Sequence, residues 1–295
     1  MANIYQQVNS NKLRSTLVLV FFTAFILGAA YLLSLAFDLG VDFMIMAFIF
    51  SILSSGVSFF YGDKIILGLN GAVRANRKEY FNLYTVTENL SLVSRIPMPQ
   101  LYVIKDEAMN AFATGRDPEH AVICVTQGLL NQLNRTQLEG VIAHEMSHVR
   151  NFDIRLMMIV SVLLGSLTLL INFTSRSMMW GRGRRDDEDR GGSPILMVVG
   201  LVLIIFAPLI GQLIQLAISR RREYLADASA VMLTRQPNGL IEALKIISQD
   251  PKLHTANTAT APLYIENPFQ GQKIANLFST HPPVEDRIKA LEQML

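Results

Sequence analysis

Four apolar stretches, each about as long as a bilayer is thick, are the feature that most constrains the fold of this chain. A spanning helix needs about 20 mostly apolar residues, because each residue adds ~1.5 Å of rise across ~30 Å of hydrocarbon. The stretches that are long enough are residues 16–37, 41–61, 156–174 and 195–219. We therefore predict a membrane protein with about four transmembrane helices.

The composition agrees with this class. Of 295 residues, 51% are hydrophobic and only 17% are charged, whereas a typical soluble domain has about a quarter charged residues. The 26 basic and 24 acidic residues nearly balance, so the charge indicates no nucleic-acid partner. The single cysteine, Cys124, excludes a scaffold of intramolecular disulfides.

The first stretch has an alternative interpretation as a cleaved signal sequence, since Gly28, Ala29 and Ala30 resemble a small-residue cleavage site. We favour a retained helix, because the apolar run continues past these residues. The second stretch also follows it at once, as in a transmembrane hairpin.

Basic residues near the ends of the stretches predict the orientation, since Lys and Arg concentrate on the cytoplasmic side. Lys12 and Arg14 precede the first stretch, basic residues follow the second and the fourth, and the connection at 38–42 has none. This predicts that both termini and residues 62–155 are cytoplasmic. The loop at 175–193 carries five arginines against this rule, so the paths of the third and fourth stretches stay open.

The stretches divide the chain into four regions. A transmembrane hairpin over residues 1–61 is followed by a cytoplasmic part over 62–155. A second hairpin over 156–219 is followed by a second cytoplasmic part over 220–295. We predict that the two cytoplasmic parts form one domain of mixed α and β structure.

The first cytoplasmic part shows both helical spacing and short runs typical of strands, the last of them rich in β-branched residues. Apolar spacing predicts a helix over residues 77–94. Another helix is predicted from Thr136 to about Asn151, since Thr136 and Glu139 fit a capping box. Further on, residues 250–268 contain prolines and a run of Thr, Ala and Asn, which predicts a mobile loop. Three short strands are predicted at 101–104, 110–114 and 121–126.

A HExxH sequence formed by His144, Glu145 and His148 lies within the second of these helices. The i, i+4 spacing puts both imidazoles on one helical face, where their nitrogens can converge on one metal ion. Glu145 lies about 100° round the helix from His144, so its carboxylate can flank the metal and act on bound water. The alternative is an exposed helix with two solvated histidines.

A catalytic zinc takes three protein ligands and a water molecule, so a third ligand must come from elsewhere. Glu223 and Asp227, just after the fourth stretch, are again spaced i, i+4. Glu223 can ligate the metal, and Asp227 can accept a hydrogen bond from a ligating histidine and fix its tautomer. Taken alone, Glu223 would rather be interpreted as an ion-pair partner of Arg220 or Arg222.

Together these motifs resemble the HtpX family of bacterial membrane zinc metalloproteases, which is itself similar to the CAAX prenyl endopeptidases. The resemblance covers essentially the whole chain. The residues that carry it are His144, Glu145, His148, Asn151 and Asp153, then Glu223 and Asp227, residues 110–115, and Thr280-His281-Pro282-Pro283 with Arg287.

The resemblance implies a helical membrane protein with an α+β, zincin-like metalloprotease domain that binds one Zn²⁺ per chain. Its ligands would be His144, His148 and Glu223, and Glu145 would be the general base. His281 would stabilise the oxyanion. The residues that would support the ligands are Asp227, Arg287 and Asn151. The residues that would line the strand edge and pair with an extended substrate are Asn110, Ala111 and Phe112.

The resemblance also implies a role in membrane protein quality control and the stress response, alongside other membrane proteases. Substrates would be damaged membrane proteins and unfolded polypeptides, cleaved on the cytoplasmic side of the bacterial inner membrane. One alternative is a non-enzymatic adaptor whose metal holds the cytoplasmic domain to the helices. A transporter is disfavoured because the stretches contain almost no charged residues, and a prenyl-protein endopeptidase would typically need more spans.

Overall fold

The computed structural model describes residues 4–37, 40–181, 220–249, 260–266 and 282–294. The fourth predicted stretch, at 195–219, and His281 lie outside the described residues.

Two long helices, α1 (Ile4–Phe37) and α2 (Val41–Leu69), form the N-terminal part. Both are long and apolar enough to cross a membrane, α1 over Val8–Leu32 and α2 over its whole length. In the most apolar part of α2 only 11% of the residues are buried by the protein, and side chains such as Leu53 are 62% exposed. An apolar surface of this extent is typical of helices surrounded by lipid. Two of the four predicted stretches are therefore helices that are long and apolar enough to span a membrane.

A sharp corner joins α5 (Arg135–Arg150) to α6 (Asp153–Gly181), which contains the third predicted stretch. The two helices meet at 83° and count as a third candidate span only if the bent pair is taken as one. Phe152, between them, has a φ of 60°, in the left-handed region that residues other than glycine rarely adopt. The corner places Asp153, the first residue of α6, close to the last turn of α5.

A four-stranded mixed sheet lies beside these helices. It comprises β1 (Val73–Arg74), β2 (Gln100–Ile104), β3 (Ala111–Thr114) and β4 (Val122–Thr126), in the order β1-β2-β4-β3. The β2–β4 pair is parallel, and the other two pairs are antiparallel. The three predicted strands agree with β2, β3 and β4 to within a residue at each end, whereas the two residues of β1 are too few to show a periodicity.

The sheet is covered on both faces, because alternate side chains of a strand point to opposite sides. Cys124 packs in the cluster that contains the α6 residue Leu163 and faces the membrane helices. Its neighbour Ile123 packs in the other cluster, with Ile142 of α5 and Leu90 of α3 (Phe81–Ser94). The sheet is therefore sandwiched between the membrane helices and the α5 side of the domain.

The helix α5, which carries the HExxH sequence, begins with a capping box that the sequence analysis placed wrongly. Asn134 is the N-cap residue, and its Oδ1 accepts a hydrogen bond from the backbone N–H of Gln137 at 3.0 Å. The side chain of Gln137 accepts one from the N–H of Asn134 at 2.9 Å. The predicted box at Thr136 and Glu139 is wrong, because Asn134 makes the same pair of bonds two residues earlier.

The remaining helices in the described residues are α4 (Gln127–Gln132), α7 (Arg220–Thr234), α8 (Pro237–Ile247) and α9 (Val284–Glu292). Of these, α7 and α8 pack directly on α5. Gly140 of α5 lies so close to the start of α8 that a Cβ atom there would be 2.6 Å from the backbone nitrogen of Leu240. A Cβ atom on Gly239 would be 2.6 Å from the carbonyl oxygen of Thr136, so glycine is required on both sides.

Residues 260–266 are packed, although the sequence predicted a mobile loop there. Tyr264 is buried and donates from its hydroxyl to Oδ1 of Asn70 at 2.8 Å, at the end of α2. Ile265 donates from its backbone N–H to the carbonyl oxygen of Ala111 at 2.9 Å. The segment is a loop with one 3₁₀ turn over Ala261–Leu263, as predicted, but the predicted mobility is wrong for residues 260–266, because residues far away in the sequence hold them.

Candidate metal centre

Two histidines of α5 and a glutamate of α7 converge on one point. His144, His148 and Glu223 each offer a ligand atom, and these atoms all lie within 4.8 Å of one another. The two histidine Nε2 atoms are 3.2 Å apart, and the Glu223 oxygens lie 3.6 Å from His144 Nε2 and 3.7 Å from His148 Nε2. All three residues are at most 5% exposed. The alternative of an exposed helix with two solvated histidines is therefore excluded.

The separations fit a single tetrahedral ion of the size of zinc. A metal–ligand distance of about 2.0–2.1 Å and a tetrahedral angle put neighbouring ligand atoms about 3.3 Å apart. The two imidazole nitrogens, 3.2 Å apart, match this value. The two oxygens of Glu223 approach it, Oε2 at 3.6 Å from His144 Nε2 and Oε1 at 3.7 Å from His148 Nε2. Three protein ligands leave a fourth position for water or substrate, as catalytic sites require.

A carboxylate holds the first histidine. Asp227 Oδ1 lies 2.9 Å from His144 Nδ1, and Arg287 donates to both oxygens of Asp227, at 2.9 and 2.7 Å. Burial by itself would raise the pKa of Asp227, but the charge and hydrogen bonds of Arg287, together with His144, lower it to about 2. An ionised Asp227 keeps the imidazole proton on Nδ1 and leaves the Nε2 lone pair facing the metal position.

The second histidine is held by a residue to which sequence reasoning gave no role. Asp153 Oδ2 lies 3.1 Å from His148 Nδ1, and Asp153 is only 2% exposed. In an uninterrupted helix Asp153, five residues after His148, would lie about 140° round the axis from it. The corner at Phe152 reverses this and brings the Asp153 carboxylate to the His148 side chain. The only sequence signal for Asp153 was its place in the family motif.

Burial and neighbouring charges give the two histidines opposite protonation in the metal-free centre. Burial lowers the pKa of His144 to about 4, and the positive charge of Arg287 adds to this effect against the opposing influence of Asp227. Burial also acts to lower the pKa of His148. The nearby carboxylates of Glu223 and Asp153 outweigh burial and raise that pKa to about 9.

Two other predicted site residues belong to the same helix region: Glu145, the predicted general base, and Asn151, a predicted supporting residue. Glu145 is 2% exposed, and its negative charge contributes to raising the pKa of His148. Asn151 caps the C-terminal end of α5, where its N–H donates to the carbonyl oxygen of Ser147 at 3.1 Å. Its own carbonyl oxygen accepts a hydrogen bond from Asn11 of α1 at 2.9 Å.

The strand edge predicted to bind substrate is partly occupied by the chain itself. The carbonyl oxygen of Ala111 accepts from Ile265, and the side chain of Asn110 donates to the carbonyl oxygen of Glu266 at 2.9 Å. The ring of Phe112, which is fully buried, meets Tyr264 edge-on at 5.0 Å between centroids. The segment 260–266 therefore covers part of this edge and connects it to Asn70 at the end of α2.

A buried His/His/Glu constellation on two packed helices, beside a small sheet and joined to long apolar helices, defines a membrane metallopeptidase. The family comparison agrees with this class. The model of peptidase family M48 matches residues 78–295. The chain belongs to family M48, within the HtpX proteases.

Relatives match over nearly the whole chain. A protease HtpX homolog of Dictyoglomus turgidum is 43% identical over 292 residues, which cover 98% of this chain and 94% of the relative. One from Thermoanaerobacter pseudethanolicus is 42% identical over 294 residues, covering 99% and 98%. These matches confirm the predicted family and the predicted class of enzyme, a metalloprotease.

A solved structure shares the fold. The crystal structure of S. mikatae Ste24p matches with a TM-score of 0.50 at 19% identity, covering 98% of this chain and 67% of that one. At this identity the similarity concerns the fold alone.

Proposed function

We propose that this protein is a membrane-embedded zinc endopeptidase with one Zn²⁺ per chain. The observation that carries the proposal is the buried convergence of His144, His148 and Glu223 at tetrahedral spacing. The Nδ1 atom of each histidine lies beside a carboxylate, which is the usual arrangement around metal-ligating imidazoles. Two imidazoles and one carboxylate with a free fourth position are a donor set typical of catalytic zinc.

The chain's own residues then have distinct roles. When bound, zinc acidifies a water molecule and polarises the scissile carbonyl. The carboxylate of Glu145 accepts the proton of the attacking water and returns it to the leaving amine. Asp227 and Asp153 keep the histidine Nδ1 atoms protonated, and Arg287 keeps Asp227 ionised. His281 donates a hydrogen bond to the developing oxyanion, as the family resemblance implies.

The position of the centre supports membrane proteins as the substrate class. His148 contacts the first residue of α6, the helix that contains the third apolar stretch, so the centre lies where the domain meets the membrane helices. The catalytic domain comprises residues 62–155 and 220–295, and both it and the termini face the cytoplasm of the bacterial inner membrane. Loops or tails of damaged membrane proteins and unfolded polypeptides are cleaved there, as part of quality control and the stress response.

An extended substrate would lie along the outer edge of β3, the strand that begins after Asn110 and includes Ala111 and Phe112. The carbonyl oxygen of Ala111 is already bonded to Ile265. Backbone groups of an edge strand face outward at every second residue. The next outward-facing residue is Ala113, two residues further along, which is 3% exposed, so substrate pairing there requires that the edge opens.

The test compares three proteins purified in detergent without chelator: the wild type, Glu145→Gln and the control Glu139→Gln on the same helix. We expect one zinc per chain in all three, with casein cleavage falling by about 10²–10⁴-fold only in Glu145→Gln. Glu223→Ala is expected to lose the metal. Undiminished cleavage by Glu145→Gln would refute its role. Zinc without turnover in the wild type would favour the adaptor.

A further inference from the structure

We propose that Asn11, in the first membrane helix, is a positioning residue for the metal centre and acts on His148 through Asp153. The inference rests on the proposed function, in which His148 is a zinc ligand. It makes α1 part of the site, although Asn11 precedes Asn151 and Asp153 by about 140 positions in the sequence.

The contact between α1 and the centre is direct and buried. Asn11 is 4% exposed, and its Nδ2 donates to Asp153 Oδ1 at 2.7 Å and to the carbonyl oxygen of Asn151 at 2.9 Å. These acceptors lie on either side of Phe152, the residue with left-handed backbone at the corner. A single amide group therefore holds both ends of the corner together.

The same carboxylate connects Asn11 to the histidine. One oxygen of Asp153 accepts from Asn11, and the other lies 3.1 Å from His148 Nδ1. Because the two oxygens belong to one rigid group, a carboxylate that loses its partner on Oδ1 is free to rotate away from His148. Arg222 lies 3.8 Å from Oδ1, which compensates the charge of Asp153 but is too long for a hydrogen bond that fixes its angle.

The surroundings of Asn11 show that α1 covers the corner. Lys12, the next residue, places its ammonium 4.3 Å from the centroid of the Phe152 ring. Asn11 is followed one turn later by Ser15, which is also buried and bonds back to the Asn11 carbonyl oxygen at 2.8 Å. A displacement of α1 in the bilayer would therefore reach His148 through one side chain and one carboxylate.

The experiment measures zinc affinity in the full-length protein in detergent by competition with a chelator of known affinity. Leucine has the same branched side-chain skeleton as asparagine, with four heavy atoms, so Asn11→Leu keeps the shape and removes the donor. Asn70→Leu is the matched control, because Asn70 is a buried asparagine of α2 whose bonds go to Tyr264, Thr260 and its own helix. We expect the zinc Kd to rise about tenfold in Asn11→Leu, at the low end of the effect of losing a residue that orients a metal ligand. In Asn70→Leu we expect the Kd to change by less than about twofold.

Two further measurements separate positioning from general destabilisation. The visible spectrum of the cobalt-loaded protein, which reports ligand geometry, should change in Asn11→Leu and not in the control. In an Asp153→Asn background, Asn11→Leu should have no additional effect on zinc affinity, because the pathway is already interrupted.

The inference is overturned if Asn11→Leu binds zinc as tightly as the wild type, or if Asn11→Leu and Asn70→Leu weaken it equally. Both results leave the proposed function intact, provided that His148→Ala loses the metal. Wild-type zinc affinity in His148→Ala would instead overturn the zinc assignment itself, and this inference with it.

Discussion

Arg287 offers a test of how the centre is stabilised, because it is a fully buried cation paired with a buried carboxylate. Its guanidinium donates to both oxygens of Asp227, at 2.9 and 2.7 Å, and to the carbonyl oxygen of Ile265 at 3.2 Å. Replacing Arg287 with Met keeps much of the volume and removes the charge. Asp227 is then left as an uncompensated buried anion beside His144.

The expected loss is large. Breaking a buried ion pair by removing one partner costs about 3–5 kcal/mol, whereas an exposed pair contributes at most about 1 kcal/mol. At ~2–4 °C per kcal/mol, Arg287→Met should lower the Tm by roughly 6–20 °C. Arg77 is the matched control, because it also pairs with both oxygens of a carboxylate, that of Glu88, but its side chain is 60% exposed. Arg77→Met should change the Tm by less than about 4 °C.

The assay is thermal unfolding of the chelator-treated protein in detergent, so that metal binding does not contribute. A second substitution distinguishes the charge from the packing. In Arg287→Met, changing Asp227 to Asn removes the unpaired anion and should recover part of the lost Tm. Equal shifts in Arg287→Met and Arg77→Met, or no recovery in the double variant, would show that burial of the charge pair is not what stabilises this region.

Three further predictions concern the metal. Asp153→Asn should raise the zinc Kd by about 10–100-fold, measured by chelator competition, because His148 loses its orienting acceptor; an unchanged Kd contradicts the role of Asp153. The pKa of His148 is raised to about 9 in the metal-free protein, so its proton competes with zinc. Between about pH 7 and 9 the zinc association constant should therefore rise by up to tenfold per pH unit, and it should level off above pH 9. Zinc binding at pH 7 should release about one proton, which calorimetry in buffers of different ionisation enthalpy detects. A constant affinity across this range would show that His148 is neutral. Finally, His281→Ala should lower kcat by about 10²–10³-fold with zinc content unchanged, and a variant with wild-type kcat would remove His281 from the reaction.

The membrane helices and the strands could be predicted because each is encoded locally. An apolar run of about 20 residues indicates a helix that can span a bilayer, and a short run rich in β-branched residues, such as Val122–Thr126, indicates a buried strand. The helix over 77–94 was predicted a turn too early, since α3 begins at Phe81. The capping box was misplaced by two residues, because Asn134 and Thr136 are both suitable caps and only the backbone decides between them.

The 260–266 segment shows where local reasoning fails. The prolines and polar residues of the predicted loop over 250–268 are typical of a loop, yet residues 260–266 are ordered by hydrogen bonds to Asn70 and Ala111. The composition of the segment contains no information about these partners, which lie more than 150 residues away in the sequence. The helix α8 was missed although its signal is local, since Pro237 stands at its first position and Leu240, Leu244 and Ile247 recur at helical spacing.

The sequence by itself determined the chemistry of the centre, since the i, i+4 spacing of His144 and His148 on one helix already directs two imidazoles to one point. Glu223 and Asp227 could be named from the same spacing. Only the tertiary structure decided what holds the ligands in place. A corner at Phe152 returns Asp153 to His148, and packing of α1 against that corner adds Asn11. Such contacts depend on how helices meet in space, and the helical repeat of one segment contains no information about the position of another.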